Sequence, residues 1–429
     1  MSTAPIVRVD KSLRRGLAAF DADRLRWLDA AAALGPLAGL QFGPVTAWVL
    51  SDTEAARAML VTDGDSWIRP PTVRAPIRLA VGDNLFTQSN RAWARLQPQV
   101  APAFRKRALD ARLAGLDELL APEVAKLPID TPIDLDLATG RIALVAAAWV
   151  LLGERLDRDR ADELADHQRH IVAWVGRRMG VVSGFLPVAY GRRAREMRVH
   201  RRALRVYADE LIGRARTREG SPDDVLGALI AARSRGRPLR AAALRGHVLG
   251  LFFAGNETTS AALSWALVHG AQNPHEWARL RNDPARASVF LEESLRLTPA
   301  VWGFPRTPTR KGVALEVDGH QYPVRRGQVI TVYLRAVNRD PALWPEPDHF
   351  EPDRHLTPGR EQSRALIPFG LGPRGCIGQH LAMAEMIAVL PALARHGDVV
   401  VDGSLTPDAS FALRVAGGLR GSFSSPRTT

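Results

Sequence analysis

Cysteine is almost absent from this sequence, whose 429 residues include one, Cys376. A single thiol excludes an intrachain disulfide framework and is typical of a protein that folds in a reducing compartment such as the cytosol. Residues 1–5 contain no apolar segment, so we expect no signal peptide.

Long apolar runs without a charged residue are also missing. The apolar run 142–152 has eleven residues, fewer than the ~20 that a membrane-spanning helix needs. The run 248–268 is long enough, but Glu257 lies in its middle, where a carboxylate would be costly in a bilayer. We therefore expect buried helices of a cytoplasmic protein with no membrane partner.

Lysine is scarce, although the chain is strongly basic. Four of the 58 basic residues are lysines, and the formal net charge is +13. The arginines are scattered and accompany no nucleic-acid-binding motif, so a solvated surface is favoured over a nucleic-acid site. Hydrophobic residues make up 46% of the chain, enough for a large core.

The cysteine lies in a glycine-rich segment, residues 369–378. Four glycines and a proline exclude a helix or strand interior there, and good helix formers follow from residue 379. Bare backbone amides and a helix N-terminus would stabilise a thiolate, the form of cysteine that binds metals. The pattern predicts a loop that holds Cys376 against a cationic centre.

This loop resembles, position by position, the haem-binding loop of the cytochrome P450 superfamily. The pattern Phe-Gly-x-Gly-x-Arg-x-Cys-x-Gly is matched by Phe369, Gly370, Gly372, Arg374, Cys376 and Gly378. The resemblance implies haem b, iron protoporphyrin IX, as the cofactor and Cys376 as the axial ligand of its iron. In this family the thiolate pushes electron density toward O–O cleavage.

The same loop contains a formal dinucleotide fingerprint. Residues 370–375 fit G-x-G-x-x-G, with candidate strands at 365–367 and 399–402. Only 27 residues follow Asp402, too few for the rest of a βαβαβ unit, and this alternative gives Cys376 no role. We therefore disfavour a dinucleotide-dependent oxidoreductase.

A polar segment interrupts an apolar helix predicted over about 240–270. Alone, it could mark only a kink, with Thr258 bonded to a backbone carbonyl. A buried Glu257 needs a partner or a function, however, because desolvating its charge is costly, and Ala254 and Gly255 leave room for a flat group. The resemblance matches these four residues to the family's distal helix, where the acid and the alcohol deliver protons during oxygen activation.

A Glu-x-x-Arg motif, Glu293 and Arg296, precedes the end of a predicted helix. Such a pair is usually only a surface pair. In the resembling family it pairs with an arginine from a later irregular segment, and Arg354 is the candidate here. We expect the three side chains to form one buried network with a structural role.

The resemblance also assigns side chains to the haem and the substrate. Arg374 and Arg306 match propionate ligands, and Trp93 matches a third haem contact. Gln97 stands where relatives usually have Arg or His, and Arg95 is a candidate replacement for the missing charge. Further matches near the distal face, for which ordinary core packing is the alternative, are Phe252, Ala254, Ala300, Val301, Trp302, Phe304 and Phe411.

The expected fold is that of the family, mainly α with a small β region. It implies a triangular helical body with the haem between the distal helix and the Cys376 loop. We predict one domain over 1–429, with a β-containing N-terminal part (about 1–92), a helical body (93–298) and a β-containing region with the Cys loop (299–429). Local predictions are helices at 22–34 and 377–396, strands at 40–42 and 47–50, a loop at 69–92, and helix breaks at 183–190 and 219–222.

The resemblance implies a soluble, monomeric, bacterial-type monooxygenase that inserts one oxygen atom from O2 into an apolar or semi-polar small molecule. We find no reductase domain, so separate ferredoxin and ferredoxin reductase are the expected electron donors, and basic residues 105–107 are candidates for docking an acidic ferredoxin. Two alternatives stay open: a related enzyme that catalyses desaturation, coupling or nitration, and a haem-thiolate protein that only binds or senses. Glu257 and Thr258 argue against a sensor, which needs no proton relay.

Overall fold

Helices dominate the computed structural model, which describes residues 4–179, 192–217 and 224–426. The helices of the first half are Leu13–Ala22 (α1), Arg24–Ala32 (α2), Thr53–Arg57 (α3), Pro71–Val81 (α4), Asn90–Val100 (α5), Lys106–Leu113 (α6), Leu116–Ala125 (α7), Leu135–Leu152 (α8) and Arg158–Gly176 (α9). Those of the second half are Arg192–Thr217 (α10), Val225–Ala231 (α11), Ala241–Gln272 (α12), Pro274–Asn282 (α13), Ala287–Leu297 (α14), Leu334–Val337 (α15), Arg360–Ala365 (α16) and Gln379–His396 (α17). The breaks predicted at 183–190 and 219–222 lie outside the described residues.

The strands are short and belong mostly to the two ends of the chain. They are Ile6–Asp10 (β1), Leu37–Phe42 (β2), Val45–Leu50 (β3), Trp67–Ile68 (β4), Ile133–Asp134 (β5), Arg233–Ser234 (β6), Arg237–Pro238 (β7), Gly303–Pro308 (β8), Val313–Val317 (β9), His320–Val324 (β10), Ile330–Tyr333 (β11), Asp398–Asp402 (β12), Pro407–Ala409 (β13), Leu413–Val415 (β14) and Arg420–Ser424 (β15). The prediction of a mainly α fold with a small β region is confirmed.

A mixed six-stranded sheet joins the N-terminal segment to the region after residue 300. Its order is β1-β2-β3-β11-β8-β4, with β1 parallel to β2 and β3 parallel to β11. This pairing places β8 beside β4, so residues far apart in sequence meet at one end of the sheet. The dinucleotide alternative finds no support, because 365–367 form no strand and β12 pairs antiparallel with β15.

The long helix α12 packs along α8 through small and hydroxylated residues. It has 32 residues and is therefore about 48 Å long. A Cβ on Gly255 would lie 3.4 Å from Leu151, so a larger side chain would crowd α8. A hydrogen bond joins the hydroxyl groups of Thr139 and Ser264 across the interface, with their oxygen atoms 3.0 Å apart. This packing fixes the rotation of α12 about its own axis, and therefore which of its side chains face away from α8.

Among the described residues, α8 alone is long and apolar enough to cross a membrane by length and composition. Of this 18-residue segment, 78% is buried inside the protein, as in the core helix of a soluble protein. The apolar run 142–152 is the C-terminal part of this helix.

One local prediction was wrong. The segment 69–92 contains a helix, α4, whose first residue is Pro71 and which ends before Gly82, where φ is +93°; both residues are typical of those positions. The helix predicted over 22–34 corresponds to α2, whereas α1 before it was not predicted; Asp23 separates the two helices, and its side chain accepts a hydrogen bond from the amide of Arg26.

A buried charge network connects α14 to the irregular segment before the Cys loop. Glu293 and Arg296 are both fully buried, and Arg296 Nε lies 2.7 Å from Glu293 Oε2. Arg354 Nε lies 3.2 Å from Glu293 Oε1, so the structure brings the three predicted residues together. His355, which sequence analysis missed, joins them with Nε2 2.8 Å from Glu293 Oε2.

The network also holds the backbone of that irregular segment. Arg296 donates hydrogen bonds to the carbonyls of Pro347 and His349, and the amide of Glu351 donates to Glu293. Burial alone would raise the pKa of Glu293, but hydrogen bonds from Arg296 and His355 hold that pKa at about 2. Glu293 is therefore a carboxylate at neutral pH, and these partners stabilise its buried negative charge.

Replacing Arg296 with alanine should destabilise the protein strongly, because the Glu293 carboxylate loses its main partner while it stays buried. We expect Arg296→Ala to lower the free energy of unfolding by about 3–5 kcal/mol, measured by urea unfolding followed by circular dichroism. The control Arg364→Ala breaks a partly exposed ion pair with Glu54 and should cost less than about 1 kcal/mol. Equal losses in both variants would contradict a special role for the network.

Candidate active site

A cavity of about 880 Å³ lies between α12 and the glycine-rich loop. Parts of the N-terminal sheet, α4, α5 and β8 complete its wall. The sequence-predicted residues that line it are Trp93, Ala254, Thr258, Ala300, Val301, Trp302, Phe304, Arg306, Phe369, Gly370, Arg374, Cys376 and Phe411.

The backbone of the glycine-rich loop folds in a way that requires glycine. Gly370 and Gly372 have φ values of +72° and +67°, in the left-handed region. A Cβ at position 372 would lie 2.2 Å from the carbonyl oxygen of Leu60, so the loop backbone lies directly against its neighbour. The amide of Cys376 donates a 2.8 Å hydrogen bond to the carbonyl of Phe369, which closes the loop.

The sulfur of Cys376 is open to the cavity, and protein surrounds it on its other sides. Burial raises the pKa of the Cys376 thiol, whereas a hydrogen bond from the Gly378 amide and the positive charge of Arg69 act in the opposite direction. Sequence analysis expected the surrounding amides to stabilise the thiolate; burial outweighs them. A cation bound beside the sulfur would favour the thiolate form.

Three arginines line the cavity and form no ion pair with an acidic side chain of the described residues. Arg306 is 6% exposed, and Arg69 and Arg374 approach it from the end of β4 and from the Cys loop. Within the described part of the chain their hydrogen bonds go to backbone carbonyls and, from Arg374, to the Asn90 side chain. Burial and the charge of Arg374 lower the pKa of Arg306 to about 10. One of these cations is buried and two are half-buried, so the group favours a bound anion, and the two propionates of haem fit this requirement.

The third cation of the cavity is Arg69 and not Arg95, which sequence analysis had proposed. Arg374 lies over the ring of Trp93, with its guanidinium carbon 4.4 Å from the ring centroid, and Gln97 lines the cavity one turn later on α5. Arg95, the candidate for the missing charge, is exposed and lies outside the cavity wall. Arg69 supplies the third cation instead; it lay in a segment predicted as a loop, and no motif marked it.

On α12, the acid and the alcohol point in different directions. Thr258 lines the cavity, and its hydroxyl donates a 2.8 Å hydrogen bond to the carbonyl of Ala254. Glu257 lies outside the cavity wall and pairs with Arg414 of β14, with Oε1 2.8 Å from Nε. Since successive residues of a helix point about 100° apart, the two side chains do not face the cavity together as sequence analysis expected.

Arg414 extends the contacts of Glu257 into the core. It also pairs with Asp136 of α8 at 3.2 Å, and Ser264 donates a hydrogen bond to the same carboxylate at 2.6 Å. Arg414 and Asp136 each lie more than a hundred residues from Glu257 in the sequence, so no local pattern could have identified them. Glu257 is thus a paired carboxylate at the start of a polar chain.

Phe252 and Gly255, predicted near the haem or the pocket, lie elsewhere, and Gly378 contacts Cys376 through its amide without lining the cavity. Phe252 is 2% exposed and packs against Tyr207, with ring centroids 5.8 Å apart. The next residue, Phe253, lines the cavity and contacts Phe411 at 4.7 Å between centroids. Gly255 faces α8. Because α12 is apolar on nearly all sides, its sequence does not reveal which face meets the cavity.

The sequence profile of the family described as Cytochrome P450 matches residues 26–409. The chain belongs to the cytochrome P450 family. It is 28% identical over 403 residues to cyclooctatin synthase of Streptomyces melanosporofaciens, covering 86% of this chain and 84% of that protein. A putative cytochrome P450 137 of Mycobacterium tuberculosis is 26% identical over 365 residues, covering 82% of this chain and 74% of the relative.

A longer relative is a self-sufficient cytochrome P450 monooxygenase of Aspergillus kawachii. It is 27% identical over 369 residues, which are 79% of this chain and 34% of that protein. Membership of the family makes this cytochrome P450 a haem-dependent oxidoreductase that incorporates oxygen. This agrees with a cavity that combines one open cysteine sulfur with three cations that form no ion pair within the described part of the chain.

Removing the charge of Arg69 should weaken haem binding, since one propionate would lose a charged donor. A hydrogen bond to a charged group contributes about 1.5–3 kcal/mol, so we expect Arg69→Gln to lose haem roughly tenfold faster or more, measured by transfer to apomyoglobin. Arg78→Gln removes an exposed arginine of neighbouring α4 and should leave the rate unchanged. Identical rates in both variants would contradict the assignment of Arg69.

Proposed function

We propose that this cytochrome P450 is a monooxygenase that inserts one oxygen atom from O2 into an apolar or semi-polar small organic molecule. The observation that carries the proposal is one cavity that unites the Cys376 sulfur, the Thr258 hydroxyl and a mostly apolar wall. Haem b, bound there, supplies the iron centre at which O2 is activated. A soluble, monomeric, cytoplasmic protein with one domain would suit this role.

The chain's own side chains divide the work of holding the cofactor. Cys376 would ligate the iron through its thiolate, while Arg69, Arg306 and Arg374 would pair with the propionates through charge-assisted hydrogen bonds. Ala254, with its small side chain in the cavity wall, would leave room for the flat macrocycle.

The remaining wall suits an apolar substrate with one polar group. Aromatic and aliphatic residues that line it include Met179, Phe253, Val301, Trp302 and Phe411. His247 also lines it and is 2% exposed; its Nε2 lies 3.4 Å from the Gln88 amide nitrogen, and its Nδ1 has no partner among the described residues. Burial lowers the pKa of His247 to about 4, so a neutral imidazole would be available to hydrogen-bond a substrate hydroxyl or carbonyl.

Proton supply would depend on Thr258 and Glu257 in different ways. The Thr258 hydroxyl is at the cavity, where it can pass a proton to the oxygen-binding site. Glu257 would have to leave Arg414 to exchange protons with this hydroxyl or with water. Arg414 therefore acts on Glu257 as a positioning residue in this proposal.

Thr258→Ala should uncouple electron use from product formation while the variant keeps haem and substrate affinity. A positioned proton donor contributes at least roughly a hundredfold to a proton-transfer step, so electrons should appear mainly as hydrogen peroxide. Product, peroxide and reductant consumed are measured in one assay once a substrate is found by spectral binding screens. Thr258→Ser, which keeps the hydroxyl, should behave like the wild type. Unchanged product per electron in Thr258→Ala would exclude the proton-transfer role.

We further propose ferredoxin and ferredoxin reductase as separate electron donors. Arg105, Lys106 and Arg107 are exposed at the start of α6. Helix α6 packs against α17, which begins at Gln379, three residues after Cys376. This basic group therefore lies on a helix in contact with the one that follows the cysteine loop, where an acidic ferredoxin could dock.

Charge reversal at this group should slow reduction by an acidic ferredoxin. Exposed charges accelerate encounters by tenfold or more at low salt, and salt screens the effect. We expect Arg105→Glu with Arg107→Glu to reduce the stopped-flow rate by roughly tenfold at low ionic strength, and less at high salt. Arg325→Glu with Arg326→Glu makes the same charge change at an exposed turn. Equal rates for both double variants would place docking elsewhere.

A further inference from the structure

Three histidines meet outside the cavity, where α9 packs against α10. His167 and His170 lie about one turn apart on α9, and His200 reaches them from α10. The rings of His170 and His200 stack with centroids 4.0 Å apart and planes 10° apart. His200 Nδ1 also lies 3.1 Å from His167 Nδ1. Two helices therefore contribute imidazole nitrogens to one small region.

Carboxylates surround these imidazoles. Asp166, His170 and His200 each place a potential ligand atom within 4.8 Å of the others, and His170 Nδ1 is 3.5 Å from Asp166 Oδ2. The other oxygen of Asp166 accepts a hydrogen bond from Arg169. Glu163 Oε1 lies 3.9 Å from His167 Nε2. The cluster therefore offers imidazole nitrogens together with negative charge.

We propose that this cluster binds one divalent transition-metal ion of the kind that prefers imidazole ligands, represented by Zn2+. Two or three imidazoles with one carboxylate form a common ligand set for zinc. With bonds of about 2.1 Å, tetrahedral ligand atoms lie roughly 3.4 Å apart. The ligand atoms of this cluster lie within 4.8 Å of one another, so they must move closer together to bind an ion. The side chains of His170 and Asp166 are 46% and 42% exposed, so they have room to rotate toward an ion, giving up the ring stacking on His200 and the hydrogen bond from Arg169.

A metal ion here would fasten α9 to α10 and restrain the wall of the cavity. Gln168, beside His167, donates a hydrogen bond to the carbonyl of Phe253, which lines the cavity. Arg201, beside His200, donates to the carbonyl of Leu79 in α4 at 2.8 Å, and α4 also lines the cavity. The site would thus couple metal binding to the stability of these helices, whatever the substrate.

The test uses the full-length holoprotein in equilibrium dialysis against ZnCl2, with zinc and iron quantified. We expect one zinc per chain that Mg2+ does not displace, because magnesium prefers oxygen ligands. His200→Gln and His170→Gln should each weaken this binding at least tenfold. His275→Gln, at an exposed histidine that also has a carboxylate neighbour, Glu276, should keep it.

Two further measurements separate the site from weak surface binding. X-ray absorption at the zinc edge should show at least two imidazole ligands in the wild type. Zinc should raise the thermal unfolding midpoint of the wild type but not that of His200→Gln, and the midpoints without zinc show whether the variant is folded. No zinc on the wild type, equal zinc on His200→Gln, or a solvent-only coordination shell would each overturn the proposal.

Discussion

The active site depends on how closely the backbone of the glycine-rich loop approaches its neighbours. Gly372 leaves no space for a side chain next to Leu60, and both Gly370 and Gly372 adopt left-handed conformations. These two positions turn the chain so that the Cys376 sulfur opens into the cavity while the helix α17 starts just after it. The network around Glu293 holds the segment that leads into this loop. The stability of the protein and the position of the Cys376 sulfur therefore depend on the same buried side chains.

The electrostatics of the cavity complement that geometry. Burial disfavours the thiolate of Cys376, and it also disfavours the charges of Arg69, Arg306 and Arg374. Burial thus acts against the charged form of each of these four groups. A haem with a cationic iron and two carboxylates satisfies both requirements at once, which explains why one cavity collects one sulfur and three cations.

Features that depend on local backbone chemistry could be predicted from the sequence. The loop around Cys376, the long helix α12, the strands β2 and β3 and the Glu-x-x-Arg motif all follow from residue types close together in the chain. Long-range partners could not be predicted: Arg69 and Arg414 occupy segments without a motif and reach the site only through the fold, and nothing marked His355, next to the predicted Arg354, as a partner of Glu293. Sequence analysis also missed which side of α12 faces the cavity, at Phe252 and Gly255, because an apolar helix that is buried nearly all round carries no periodic signal.

The most direct test of the account is the spectrum of the reduced protein with carbon monoxide. If Cys376 ligates the haem iron as a thiolate, the wild type shows the red-shifted Soret band typical of haem-thiolate proteins, and Thr258→Ala keeps it. Cys376→Ser should lose that band even where haem remains bound. A normal red-shifted band in Cys376→Ser would show that another group ligates the iron and would contradict the central claim.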